Sequence, residues 1–265
     1  MSQTKPYFRE AGSGPGVVCL HSNASSSVQW RGLIDLLSTD HHVLAPDLYG
    51  AGRSEDWHSN REISLRDEVN FIEPVLARAG ESFSLVGHSY GGAVALMAAL
   101  ASPNRVRSLV LYEPTLFSLV ENQSPPVGNV RGIQEAVRLA SAALDAGDPE
   151  AAAEYFIDFW MGKGTWKATP AARRGPIAES VVNVRRWGHA LFTEPTPSCA
   201  FAALEMPILY MVGKESPESA RAVARALSPT LANVRVVEVQ GWGHMAPITH
   251  AEAVNAQITA FVREA

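Results

Sequence analysis

Ser89 and His244 have the sequence settings that point most directly to chemistry. Ser89 lies in Gly87-His88-Ser89-Tyr90-Gly91, between an apolar run at Phe83–Val86 and a helix pattern at Ala93–Ala101. A serine on a sharp strand-to-helix turn stands out for attack, in a strained backbone conformation. The glycines remove Cβ atoms where strand and helix crowd each other. The helix start behind the serine favours developing negative charge. Its hydroxyl is a weak nucleophile at neutral pH and needs a base. His244 is the candidate base, in Gly241-Trp242-Gly243-His244-Met245. Between two glycines in a loop it is free to reach a site at the edge of a sheet. Serine with histidine makes acyl transfer the expected chemistry. The other histidines have weaker settings. His41 and His42 open a strand, His58 is in a polar loop, and His250 opens the last helix. His189 is a pocket-wall candidate, and His88 is expected to point away from the reacting atom.

These residues need a scaffold, and the chain alternates short apolar strands with helix patterns. That alternation implies a mostly parallel sheet covered by helices. Strands are expected at Val17–Leu20, Val43–Ala45, Phe83–Val86, Val106–Tyr112, Ile208–Val212 and Val234–Val239. Helices are expected near Gln29–Leu37 and at Leu65–Ala79, Ala93–Ala101, Glu218–Leu227 and Ala251–Val262. Between Phe117 and Ser198 the rhythm breaks into helix patterns alone: Val130–Ala146, Pro149–Met161 and Ala178–Trp187. The economical division is a sheet domain, 1–116 and 199–265, interrupted by a helical insertion, 117–198. The insertion carries Phe156, Phe159, Trp160, Trp166, Trp187 and Phe192. Most of these read as core, with a few lining an apolar pocket.

Composition narrows the classes. With 265 residues the chain can bury a full core without staples. The hydrophobic share is 46% and the net charge is -5, which argue against disorder and against nucleic-acid binding. Two cysteines exclude a disulfide scaffold; Cys19 reads as a core residue and Cys199 as a loop thiol. The opening Met1–Glu10 is polar, without an apolar signal region, and Ala93–Ala101 is too short to span a bilayer. A cytoplasmic protein with no membrane partner is the expectation. Gly12-Ser13-Gly14-Pro15-Gly16 precedes its strand, so it does not fit a dinucleotide fingerprint. No His-Glu-x-x-His pattern is present, and neither cofactor nor metal is expected.

Taken together these motifs resemble the α/β-hydrolase superfamily, in its capped, esterase-like branch. The resemblance covers nearly the whole chain outside the insertion. It includes His21-Ser22-Asn23, where the family commonly has His-Gly-x, and Asp47-Leu48-Tyr49-Gly50-Ala51-Gly52-Arg53-Ser54, a turn read as structural. It implies the α/β-hydrolase fold, with 117–198 as a helical cap and His244 as the last member of a triad. It also implies that the backbone N–H groups of Asn23 and Tyr90 bind the oxyanion, with Ser22 replacing the usual glycine.

The resemblance leaves the triad acid to be chosen. The family's usual aspartate slot holds Ser216, in Gly213-Lys214-Glu215-Ser216-Pro217. Some relatives, certain haloalkane dehalogenases among them, take the acid from the end of an earlier strand, and Glu113 matches that position. Glu113 is the preferred acid, because a carboxylate between an apolar strand and Pro114 needs a partner. Glu215 is the alternative, and Glu218 is also near the slot. The implied function is hydrolysis of a small-molecule carboxylic ester with an apolar moiety. Carbon–carbon bond hydrolysis, lactone hydrolysis and cofactor-free perhydrolysis would use the same triad. A non-catalytic ligand-binding role is the reading from a different class.

Overall fold

The computed structural model describes residues 5–265. Met1–Thr4, part of the polar opening, lies outside the described residues. The strands are β1 (Phe8–Ala11), β2 (Gly16–Leu20), β3 (His42–Pro46), β4 (Phe83–His88), β5 (Val106–Tyr112), β6 (Ile208–Gly213) and β7 (Val234–Val239). They form one sheet in the order β1-β3-β2-β4-β5-β6-β7. Every pairing is parallel except β1 with β3. This is the α/β architecture expected from the alternating pattern. The sequence pattern did not reveal β1. Phe-Arg-Glu-Ala has no apolar alternation, and this edge strand is held by its backbone ladder to β3.

The two sheet faces sort the side chains by parity. Val17 and Cys19 of β2 pack with α1 (Arg31–Leu37) and α12 (Ala251–Glu264), while Val18 and Leu20 join the opposite core. That opposite core includes α2 (Leu65–Arg78) and α3 (Tyr90–Ala101). In α2, Ser64 accepts from the Asp67 N–H while the Asp67 carboxylate accepts from the Ser64 N–H, a reciprocal cap. Helix α3 is apolar all round, as a helix pressed between the sheet and other helices must be.

Between β5 and β6 the chain makes α4 (Ser118–Glu121), α5 (Arg131–Asp145), α6 (Pro149–Met161), α7 (Thr165–Ala168), α8 (Ala171–Val181) and α9 (Val184–Phe192). Asp148 caps α6 by accepting from the Ala151 N–H at 2.9 Å, with Pro149 in the first turn. The expected single helix Ala178–Trp187 is two helices, α8 and α9. Ala178, Val181, Val184 and Trp187 keep a three-residue spacing of buried positions, which imitates one helix. The chain breaks at Val182–Asn183, where the Asn183 amide donates to the Gly50 carbonyl at 3.3 Å. After β6 follow α10 (Glu218–Leu227), β7 and the short α11 (Ala246–Thr249). Among the described residues no helix is long and apolar enough to cross a membrane.

Register places the site. Leu20 of β2 is level with Gly87 of β4, His88 with Tyr112 of β5, and Tyr112 with Met211 of β6. Parallel strands in step end together. The loops carrying His21–Asn23, Ser89, Glu113 and Gly213–Ser216 therefore leave one sheet edge side by side.

Candidate active site

Ser89 lies between β4 and α3 at φ 56°, ψ -119°, a positive-φ conformation that costs a non-glycine residue about 1–3 kcal/mol. Its neighbours hold it there. Its N–H donates to the Tyr112 carbonyl at 3.0 Å, and its own carbonyl accepts from Ala93 and Thr115. The flanking glycines are a packing necessity. A Cβ at Gly87 would strike the α3 backbone at Gly91 and Gly92, and one at Gly91 would strike the Leu20 and His21 carbonyls. That second approach brings the loop after β2 against the start of α3.

His244 reaches this serine across the sheet edge. Its Nε2 is 2.9 Å from Ser89 Oγ, and its Nδ1 is 2.7 Å from Glu113 Oε2. Both side chains are buried. A carboxylate only accepts, so Nδ1 carries the ring proton and Nε2 accepts from the serine hydroxyl. Glu113 sits just past β5 at φ 45°, itself left-handed. Its Oε1 accepts from the Gly213 N–H at 2.7 Å and the Ser216 hydroxyl at 2.6 Å. Ser216 thus hydrogen-bonds to the carboxylate that comes from the end of the other strand. Glu215 is directed elsewhere: its Oε1 accepts from the Gln240 amide at 2.6 Å. Glu218 pairs with Arg221 and Arg225 at the surface. His189 is exposed and lines neither cavity beside Ser89.

A second layer joins the loops to each other. Gln29 Oε1 accepts from both the N–H and the hydroxyl of Ser22 at 3.0 Å. Its amide nitrogen donates to His88 Nδ1 at 3.1 Å, and His88 Nε2 donates to the His244 carbonyl at 2.9 Å. Burial, reinforced by the neighbouring His244, pushes the His88 pKa well below its ordinary value, so the ring stays neutral. The Tyr112 hydroxyl donates to the Gly243 carbonyl at 2.8 Å, pinning the same histidine loop. Asn23 follows Ser22 and precedes Ala24, whose φ of 51° turns the loop sharply. Tyr90 is the first residue of α3, where a backbone N–H has no acceptor within the helix. The Asp47 turn serves the scaffold, with its carboxylate accepting from the Ser27 and Arg53 N–H groups.

Two cavities meet at Ser89. One is walled by Phe117, Ile133, Val184, Trp187 and Leu191 together with Asn23 and Thr115. The other is walled by Ala24, Ile157, Met161 and Met245 together with His244. Phe156 and Trp160 of α6 border both. The Trp160 indole stacks on the His244 imidazole, with centroids 3.8 Å apart and planes 25° apart. Sequence reasoning missed the hydrogen bonds made by Gln29 and Ser216, the place of Thr115 and the stacking of Trp160. Among the described residues no group of three or more His, Cys, Asp or Glu could hold a metal ion.

A 2-hydroxymuconate semialdehyde hydrolase from Pseudomonas sp. strain CF600 is 38% identical over 109 residues, 40% of this chain and 35% of that protein. A cis-3-alkyl-4-alkyloxetan-2-one decarboxylase from Shewanella oneidensis is 29% identical over 126 residues, 46% of this chain and 40% of that protein. These curated relatives are therefore matched over less than half their length. An alpha/beta hydrolase from Sphaerobacter thermophilus superposes over 95% of both chains, with a TM-score of 0.72 and 26% identity. The alpha/beta hydrolase fold family itself matches residues 15–251, from just before β2 to the start of α12, and the chain belongs to that family.

Proposed function

We propose that this protein is a serine hydrolase of small-molecule carboxylic esters, working through an acyl-enzyme on Ser89. The observation that carries the reading is the unbroken relay from Ser89 Oγ through His244 to Glu113, with contacts of 2.9 and 2.7 Å. Ser89 Oγ attacks the ester carbonyl carbon while His244 Nε2 takes its proton. The imidazolium is stabilised by Glu113, which also holds the ring in the tautomer that can accept. Charge forming on the carbonyl oxygen is met by the backbone N–H groups of Asn23 and Tyr90, each worth about 2.7–4 kcal/mol in such a hole. The tetrahedral intermediate then collapses, and His244 returns the proton to the departing alcohol. A water molecule, deprotonated by His244, releases the carboxylic acid and restores the serine.

The proton must reach the leaving oxygen from Nε2. The cavity that includes His244 therefore takes the alcohol, and the one walled by Phe117, Ile133 and Leu191 takes the acyl group. Residues 117–198 act as a cap on this reading, because Phe156, Trp160 and Trp187 face the reaction from above. Apolar walls suit an apolar substrate moiety. A second reading, carbon–carbon bond hydrolysis with the same relay, is favoured by the 38% match to a hydrolase of 2-hydroxymuconate semialdehyde.

Turnover of a p-nitrophenyl ester series, with intact-protein mass after acid quench, tests the proposal. Nitrophenol release with an added acyl mass, both lost in Ser89→Ala, is expected. Absence of release and of adduct contradicts the ester reading. Cleavage of a vinylogous diketone under the same conditions would then favour the second.

A further inference from the structure

The acyl-side cavity is apolar except at Asn23, Ser89 and Thr115. Ser89 already has a partner in His244; the other two side chains have polar atoms that are unmatched. Thr115 is 1% exposed and lies two residues past Glu113. Its N–H donates to the Ser89 carbonyl at 3.3 Å, which fixes it beside the serine. Its hydroxyl is buried and has no hydrogen-bond partner within the chain. Asn23 lines this cavity and the neighbouring one, and its side-chain oxygen is buried and unpartnered too. Folded proteins rarely leave buried polar atoms unmatched, because the lost hydration is not recovered. Two such residues lining an otherwise apolar cavity point to a place where a polar group of a ligand fits.

The two atoms also specify what that group is. The threonine hydroxyl can donate, and the amide oxygen can only accept. A hydroxyl satisfies both at once, accepting from Thr115 and donating to Asn23. A methyl group in its place leaves both desolvated. We propose that Thr115 Oγ1 and Asn23 Oδ1 form a specificity subsite for a hydroxyl-bearing acyl group, so that the substrates are esters of short hydroxy acids. This rests on the ester-hydrolase reading of Ser89. The surrounding Ile133, Val137 and Leu191 accommodate the carbon skeleton. The subsite holds the acyl group beside Ser89 and takes no part in bond making.

Two ester pairs in which hydroxyl replaces methyl test this: methyl glycolate against methyl propanoate, and methyl 3-hydroxypropanoate against methyl butanoate. Acid release gives kcat/KM for each ester in the wild type, Thr115→Val and Thr115→Ser. Taking the ratio within a pair and comparing it between proteins cancels the intrinsic reactivity of the esters. The hydroxy-to-alkyl ratio should fall roughly five- to tenfold in Thr115→Val for at least one pair, the scale of one neutral hydrogen bond. Thr115→Ser should restore most of it. Thr115→Val should melt no lower than the wild type, since its hydroxyl bonds nothing in the chain. Equal ratios in wild type and Thr115→Val for both pairs overturn the subsite and leave the ester reading intact. Ligand-observed NMR titration of Ser89→Ala with the same esters reads the subsite without turnover. Tighter binding of the hydroxy esters, lost on adding Thr115→Val, supports the subsite even if the wild type cleaves no ester. Equal binding of both members of each pair overturns it.

Discussion

Glu113 combines complete burial with a left-handed backbone, and the strain is sustained by three hydrogen bonds to its carboxylate. That arrangement makes the acid part of the sheet edge. Gln29 plays the corresponding part for the loops, since one amide ties Ser22 to His88 and so to the His244 backbone. Replacing Gln29 with Leu strands buried donors and acceptors at about 1–3 kcal/mol for each unmatched group. It should also lower kcat roughly 10- to 100-fold, because small displacements of reacting groups are costly. Calorimetry and steady-state kinetics check both effects. The settings of Ser89 and His244 were legible because glycines frame them in sequence. Glu113 was legible because a carboxylate between an apolar strand and a proline needs explaining. Gln29, Ser216 and Thr115 were not, since a side chain acting through one long-range hydrogen bond leaves no spacing or period to read.

Helix α2 buries a carboxylate that the proposed chemistry does not use. Glu68 accepts from the Tyr49 N–H at 3.2 Å and the Tyr90 hydroxyl at 3.1 Å, directly behind the start of α3. Burial raises its pKa from 4.5 to about 8, opposed by these two hydrogen bonds. A group whose pKa is raised by folding binds more protons in the folded state. Its contribution to stability is therefore full below 4.5 and is lost as pH rises through about 8. Glu68→Gln mimics the protonated acid without the titration. Its melting temperature relative to wild type should rise steadily between those pH values, and scanning calorimetry at several pH values reads the difference. A constant difference across that range contradicts the assignment. At this scale the central strands and most helices could be read from apolar runs and periods. The short β1 and the break between α8 and α9 could not, because backbone pairing sets the first and the Asn183–Gly50 contact sets the second.

Across the whole molecule, the fold joins groups 155 and 131 residues apart into one relay, with the helices between β5 and β6 laid over it. Trp160 links the two layers, since it stacks on His244 and borders both cavities. Trp160→Ala removes that partition, so the profile of kcat/KM against acyl chain length should shift toward longer chains while kcat on short esters falls. The helical stretch between β5 and β6 shows in the sequence as a loss of strand rhythm, but which aromatic faces His244 depends on tertiary packing. The central claim is that Ser89, His244 and Glu113 act as one unit for acyl transfer. Its most direct measurement is kcat for p-nitrophenyl ester hydrolysis in Ser89→Ala, Glu113→Gln and Glu215→Gln beside the wild type. Glu113→Gln cannot hold the productive tautomer and should lose roughly 10³- to 10⁴-fold, approaching Ser89→Ala, while Glu215→Gln stays near wild type. Full activity in Glu113→Gln, or its loss in Glu215→Gln alone, would contradict the account.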